Sequence, residues 1–278
     1  MTKHTGTETT REFYDTRGWR EQDGESVDKA MFGVTEDGPI RVELHVAHFE
    51  RIRAALRRAG EDLRLLECGC GGNPELQILD LCLEYVGVDF SESGLSMARS
   101  RLEPTGVPFR LETADACALP FEDASFDALY CAHMLYHIED PRGQEEAIAE
   151  MIRVVRPGGV LVLLVVNPRP LLFPVRMIRR LMADAPLVGA VADKLRSKPP
   201  LPFRPMPRGW MRRRLGRGGR VEILTYWLPH TAFKRNVTEF RGLGRLRWRV
   251  IRWLDLHHPR VSAYLGNYVQ FNVYRGDH

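Results

Sequence analysis

From residue 63 to residue 166 short apolar runs alternate with stretches whose apolar residues recur every three or four positions. The runs at Leu63–Glu67, Glu84–Asp89, Val107–Glu112, Asp127–Cys131 and Val160–Val166 are the length of buried strands. Between them, Pro74–Leu83, Ser91–Leu102 and Gly143–Val155 read as helices. In the last of these, Ala147, Ile148, Met151, Ile152 and Val155 fall on one helical face. Ser91 stands where an N-cap is expected, and Pro157-Gly158-Gly159 stops the third helix before the next strand. Val42–Ala59 reads as a helix with a basic outer face. Strands alternating with helices predict a parallel sheet covered by helices.

Beyond Val166 the texture changes. Residues 167–219 hold nine of the eighteen prolines and two Arg-rich patches, too long and irregular for an ordinary connection, and read as an inserted cap on the substrate side. Arg220–Leu228 and Tyr268–Tyr274 are β-rich and predict an edge hairpin that closes the sheet. The interval between them is a second insertion, with an Arg/Trp amphipathic helix at Leu246–Leu256. Trp248, Trp253, Val250, Ile251 and Leu254 are expected to share one face of it. The predicted organisation is an N-terminal lid and helix over 1–60, a ligand-binding core over 61–166, the cap over 167–219, and closing strands with a helical insertion over 220–278.

Charge sharpens this division. Residues 1–150 hold 15 bases and 30 acids, whereas residues 151–278 hold 25 bases and 6 acids, so a net charge of +4 conceals halves of opposite sign. Such asymmetry points either to halves that attract each other or to a basic face for an anionic partner. With 44% apolar residues the chain can bury a full core. Disorder and a disulfide-stapled mini-fold are excluded. No apolar run approaches the roughly 20 residues that cross a bilayer, and Met1–Arg11 is polar rather than signal-like, so a cytoplasmic protein is expected. The five cysteines (Cys68, Cys70, Cys82, Cys117, Cys131) form no C-x-x-C pair and are read as reduced core or turn residues. His257-His258 is a weak metal signal, and no metal is expected.

The chemistry gathers at successive strand ends. Glu67-Cys68-Gly69-Cys70-Gly71-Gly72-Asn73 follows the first strand. Its glycines permit tight turning and close approach of a nucleotide-like ligand. An acid there repels a pyrophosphate but accepts hydrogen bonds from a cationic amine, and the loop lacks both the G-x-G-x-x-G spacing and a following Gly-Lys-Ser/Thr. Asp89 ends the second strand, where a carboxylate can hold both hydroxyls of a ribose, and Asp115 follows the third, within reach of an adenine amine. Each acid alone reads equally well as a loop or N-cap carboxylate. The three together describe a pocket for a neutral or cationic adenosine derivative.

These residues resemble the class I S-adenosylmethionine-dependent methyltransferases of the small-molecule type. The similarity is carried by Glu67-Cys68-Gly69-Cys70-Gly71, Val88-Asp89-Phe90-Ser91, Asp115-Ala116 with Leu119-Pro120-Phe121, Phe126-Asp127-Ala128-Leu129-Tyr130 and Arg153-Val154-Val155-Arg156-Pro157-Gly158-Gly159, in the family's order. Asn73 stands where the family often has a third glycine. The resemblance implies an α/β fold, a doubly wound, mostly parallel sheet of about seven strands with helices on both faces, plus cap insertions. It implies S-adenosyl-L-methionine as cofactor, with Glu67 near its cationic end, Gly69, Cys70 and Gly71 as the loop, Asp89 on the ribose, Phe90 on the ring face, Asp115 and the Ala116 backbone on the adenine, and Cys131 beside them.

Methyl transfer then needs alignment and, for many acceptors, removal of a proton. His133 is the first candidate base, with Tyr136 and His137 beside it; His137 reads more readily as a packing residue. Tyr14 and Trp19 read either as a lid or as anchors of the N-terminus, and Arg41 and His45 as residues on the following helix that reach cofactor or acceptor. Residues 201–278 hold twelve of the twenty-five aromatics amid arginines, so the basic half reads as a cap, as the site of an anionic acceptor, or as an RNA or membrane surface. The leading reading is methylation of a small molecule, at a hydroxyl of a natural product, sugar or quinone-like compound. RNA methylation, N-methylation of a small amine, and cofactor binding without turnover are the alternatives; no DNA partner is expected.

Overall fold

Seven strands pair into one sheet: β1 (Leu63–Cys68), β2 (Cys82–Asp89), β3 (Phe109–Thr113), β4 (Phe126–Ala132), β5 (Val155–Val166), β6 (Gly219–Trp227) and β7 (Tyr268–Arg275). Their order across the sheet is β3-β2-β1-β4-β5-β7-β6. The first five are parallel, and β7 runs antiparallel between β5 and β6. The strand order reverses between β1 and β4, which opens a crevice at the carboxyl ends of the strands. The computed structural model describes residues 10–19, 21–22, 25–26, 38–169, 202–227 and 243–276.

The helices are α1 (Gly38–Leu56), α2 (Glu92–Leu102), α3 (Pro141–Val154), α4 (Arg208–Leu215), α5 (Leu243–His257) and α6 (Pro259–Leu265). Side chains alternate across each strand, so neighbours in sequence serve opposite layers. Leu65, Ala128, Val162 and Leu164 pack with Phe49, Ile52 and Leu56 of α1. Leu66, Leu129, Leu161 and Leu163 pack with Ala147, Ile148 and Met151 of α3. Burial on both faces is why the central strands read as unbroken apolar runs. Ser91 caps α2 by accepting from the Gly94 amide at 3.1 Å, as the sequence predicts. Asp140 caps α3 by accepting from the Arg142 amide at 3.0 Å, with Pro141 at the first helical position.

The structure departs from the sequence reading in four places. The helix predicted at Pro74–Leu83 is a short 3-10 turn, Leu76–Leu81, because β2 already begins at Cys82. Pro157-Gly158-Gly159 lies inside β5 as an irregularity opposite Phe126–Ala128, with Gly158 at φ 75°. Residues 202–218, expected in the cap, pack on the sheet: Met206, Met211 and Leu215 join the core under α3. Finally, Ile251 of α5 is buried while Val250 and Trp253 are about half exposed, so these residues do not share a face. At 100° per residue, Val250 and Trp253 lie opposite the buried side marked by Ile251 and Asp255. The rest of both insertions, 170–201 and 228–242, falls outside the described residues.

Candidate functional site

The loop after β1 turns back over the crevice through Gly69 (φ 79°) and Gly71 (φ 50°), a left-handed backbone that glycine adopts without strain. The amides of Gly69 and Cys70 donate to the Val88 carbonyl at 2.8 and 3.1 Å, fastening the loop to β2. Asp89, at the end of β2, completes the fastening: Oδ2 accepts from the Gly71 amide and Oδ1 from the Ser91 amide, each at 2.9 Å. A carboxylate offers about four lone-pair positions, so these backbone donors leave it able to accept a further hydrogen bond. Burial raises the Asp89 carboxyl to about 6, against the pull of these amides, so it remains mostly ionised at neutral pH.

Glu67 is buried at the end of β1. Its Oε2 accepts from the Tyr85 hydroxyl at 2.7 Å and from the Glu75 amide at 3.0 Å. Desolvation pushes its carboxyl up to about 8, so at neutral pH it is largely protonated. Asp115, by contrast, is exposed, and accepts from the Cys117 amide at 2.8 Å. The three acids stand at or just beyond the ends of three adjacent strands, β1, β2 and β3, with Ala116 and Phe90 beside them. Cys131 is buried near the end of β4. All five cysteines are unpaired thiols.

Two side chains lie on the glycine surfaces. A Cβ on Gly69 would come within 2.6 Å of Met134, and a Cβ on Gly71 would collide with the Trp19 indole. The same indole lies against Gly72 and Gly94, where its Nε1 would be 2.7 Å from a Cβ on Gly94. Trp19 stacks on Tyr14 at 5.1 Å between ring centres, and Tyr14 meets Phe90 edge-on at 6.2 Å. The N-terminal aromatics therefore rest on the glycine loop and the start of α2. Nε1 of Trp19 is buried with no hydrogen-bond partner, an unusual state for an indole N–H. A left-handed glycine turn, an ionised carboxylate and an orphaned indole donor at one strand-end crevice fit a hydroxyl-bearing adenosine group with a zwitterionic tail.

On the other side of the strand-order reversal, His133 follows β4 with φ 60°, its amide bonded to the Leu164 carbonyl at 3.0 Å. A left-handed histidine stores of order 1–3 kcal/mol of strain, which surrounding structure must sustain. Its imidazole is ringed by Tyr268, Tyr226 and Tyr136 at 5.1, 5.8 and 6.3 Å between centres. Nδ1 is buried and unpartnered. Burial lowers the imidazole to about 4, so it is neutral from mildly acid to basic pH. The unperturbed histidine value expected from sequence therefore does not apply.

The neighbouring candidates are placed differently. His137 uses Nδ1 on the Pro202 carbonyl at 2.9 Å, and Gln144 donates to the carbonyls of Leu135, Ile138 and Arg204, tying the 135–138 turn to residues 202–204. Tyr136 is buried against His137 and Phe203. Arg41 is on α1, and its side chain, like that of His45, is outside the described residues. Among the described residues no group of three or more His, Cys, Asp or Glu could hold a metal.

Sequence reasoning missed His48 of α1 and Asp255 of α5. Nε2 of His48 stands 3.1 and 3.2 Å from the two oxygens of Asp255, and Arg51 donates to Asp255 Oδ1 at 2.9 Å and to the Thr225 carbonyl at 3.1 Å. His48 also packs against Tyr226 at 5.3 Å, so this buried pair abuts the aromatic ring around His133. The partners are 207 residues apart, and no local motif announces them.

A family model of methyltransferase domains matches residues 66–163. Demethylmenaquinone methyltransferase of Thermus thermophilus is 42% identical over 87 residues, 31% of this chain and 38% of that protein. The 27-O-demethylrifamycin SV methyltransferase of Amycolatopsis mediterranei is 37% identical over 110 residues, 38% of this chain and 39% of that protein. The matched stretch thus spans at most about half the length of these curated relatives. The crystal structure of magnesium protoporphyrin IX methyltransferase from Synechocystis, with bound SAH, superposes at a TM-score of 0.57 with 13% identity, covering 97% of this chain and all of that one. That likeness shows the fold, a seven-strand Rossmann-like sheet.

Proposed function

We infer that this chain, which over residues 66–163 carries a class I S-adenosylmethionine-dependent methyltransferase domain, methylates a small-molecule acceptor, at a hydroxyl of a natural product, sugar or quinone-like compound. The observation that carries the reading is the division of the crevice. Carboxyls and a glycine loop occupy the ends of β1 to β3, and an aromatic enclosure with an unpartnered histidine nitrogen occupies the ends of β4, β6 and β7.

Bound in the first half, S-adenosyl-L-methionine would supply a methyl group already activated on a sulfonium. The residues then have defined tasks. Asp89 accepts from the ribose hydroxyls with the lone pairs its amide donors leave. Asp115 and the Ala116 backbone face the adenine, and Phe90 its ring. Glu67 holds the Glu75 amide and so the far end of the loop. Trp19 and Tyr14 exclude water from the glycine surfaces and offer an indole N–H to an acceptor oxygen of the ligand. His133, neutral and with Nδ1 unpartnered, takes the proton of the acceptor hydroxyl. An imidazole near 4 is a weak base in the resting enclosure. It gains basicity when an anion forms beside it, so alignment carries most of the acceleration.

The relatives named for demethylmenaquinone and for demethylrifamycin support an organic acceptor of this class. The test is incubation of the protein with methyl-labelled cofactor and fractionated metabolites of the source organism. Label in a low-molecular-weight fraction is the expected result. Label confined to RNA, with salt-sensitive binding, would replace this reading with nucleic-acid methylation.

A further inference from the structure

Helix α5 turns apolar side chains outward. Leu246, Val250 and Trp253 follow each other at i, i+4 and i+7, and are 59%, 50% and 51% exposed. At 100° per residue they form one ridge about 10 Å long, opposite the buried side chains of Ile251 and Asp255. Helix α6 adds Val261 and Tyr264, which are also exposed. Most single exposed apolar residues need no explanation, but an aligned row does.

The charges carried by α5, α6 and β7 are almost all of one sign. Residues 243–276 contain six arginines and one acid, Asp255, which is buried and turned to His48 and Arg51. Arg249 is exposed on the flank of the ridge, and Arg260, in the first turn of α6, is exposed with its tip on Glu222. We propose that this face docks on the surface of an anionic lipid bilayer: Leu246, Val250 and Trp253 enter the boundary between headgroups and acyl chains, and the flanking arginines meet lipid phosphates.

Charge complementarity selects this occupant. A second copy of the same face would bring arginines against arginines. RNA would satisfy the arginines but give no burial to aliphatic Leu246 and Val250. A bilayer surface takes both, and an apolar stripe with Trp at its edge and basic flanks is the pattern of a helix lying in the interface. No described helix is long and apolar enough to cross a membrane, so the contact is with the surface. The other side of α5 reaches His48, which touches Tyr226, which touches His133. Helix α5 and the His48 and Tyr226 rings behind it thus separate the bilayer from His133, a placement that suits an acceptor dissolved in lipid. That consequence rests on the methyl-transfer reading; the docking does not.

Vesicle co-sedimentation of the full chain, without cofactor, tests the proposal and leaves the methyl-transfer reading to its own assay. Binding is expected to vesicles of equal phosphatidylcholine and phosphatidylglycerol, and to be at least about tenfold weaker to phosphatidylcholine alone or at high salt. The double substitution Val250→Asp with Trp253→Asp is expected to lower binding by a similar factor while melting like the parent protein. Should that variant not fold, brominated acyl chains serve instead: they should quench the parent's indole fluorescence, and Trp253→Phe should lose that component. Absence of binding to the anionic vesicles, or equal binding by the folded variant, overturns the proposal. So does a dimer in sedimentation velocity that the same substitution dissociates, or a ridge-dependent affinity for RNA in its place.

Discussion

The Tyr85 hydroxyl donates to Oε2 of Glu67 at 2.7 Å, beneath the glycine loop, and the same oxygen holds the Glu75 amide. This carboxyl sits at about 8, chiefly through desolvation, far above its ordinary value. In the range between the ordinary value and about 8, the folded protein keeps a proton that the unfolded chain releases. Stability contributed by this group is therefore complete below the ordinary value and is lost as pH rises toward about 8. Glu75, at about 7, and Asp89, at about 6, act in the same direction at lower pH. Glu67→Gln, which keeps an acceptor for Tyr85, should flatten the fall in stability between pH about 7 and 8, an effect of the order of 1 kcal/mol there. Urea unfolding across the pH range measures it, and unchanged slopes would show that Glu67 is ionised in the folded protein.

Asp89 ties Gly71 to Ser91 with one oxygen each. In Asp89→Asn the amide nitrogen must face one of two backbone donors and cannot accept from it. The loop loses a bond, and a ribose loses one of its two acceptors. Cofactor affinity by calorimetry should fall by about 10- to 100-fold, from the loss of one or two hydrogen bonds to a charged group. Unaltered affinity would remove Asp89 from the ribose contact.

His133 titrates near 4 because burial disfavours its charged form. A rate that depends on the neutral imidazole should hold level from about pH 6 to 9, with no inflection near the ordinary histidine value. His133→Ala should lower kcat by about 10²- to 10⁴-fold, the usual range for loss of a general base, with cofactor affinity retained. Near-parent turnover across that range would leave proximity alone to account for the reaction.

The gathering of the glycine loop and the acids at adjacent strand ends was legible because its information is local. Gly69, Gly71, Asp89 and Asp115 occupy fixed offsets from strand ends, and parallel pairing brings those ends together. The strand pattern was legible for the same reason, since strands buried on both faces declare themselves as apolar runs. The acceptor half was only partly legible. His133 lies on a turn that follows a recognisable strand, but its neighbours Tyr226 and Tyr268 come from β6 and β7, 93 and 135 residues later. The depression of its pKa follows from that enclosure rather than from its local sequence. The ridge on α5 escaped because composition suggests a core face wherever Trp and Val recur. The buried placement of Ile251 and Asp255 reveals which side of the helix is inward.

His48 and Asp255 are both almost wholly buried, and Arg51 reaches the same carboxylate. Desolvation lowers the His48 imidazole against the pull of Asp255, so the carboxylate depends mainly on Arg51 for its counter-charge. Asp255→Asn keeps the shape of the side chain and removes that charge, leaving the Arg51 guanidinium beside a neutral amide and a buried histidine. Breaking a buried pair in this way costs about 3–5 kcal/mol, and the 14% exposure of Arg51 places this case at the lower end. The unfolding midpoint in urea should fall accordingly, and α5, which this carboxylate anchors to α1, should become sensitive to protease before the sheet does. Calorimetry of the cofactor should be unchanged, because the pair lies beyond His133 and away from β1 to β3. A variant that unfolds with the parent and binds cofactor normally, yet turns over slowly, would assign the pair to the acceptor instead of to the fold.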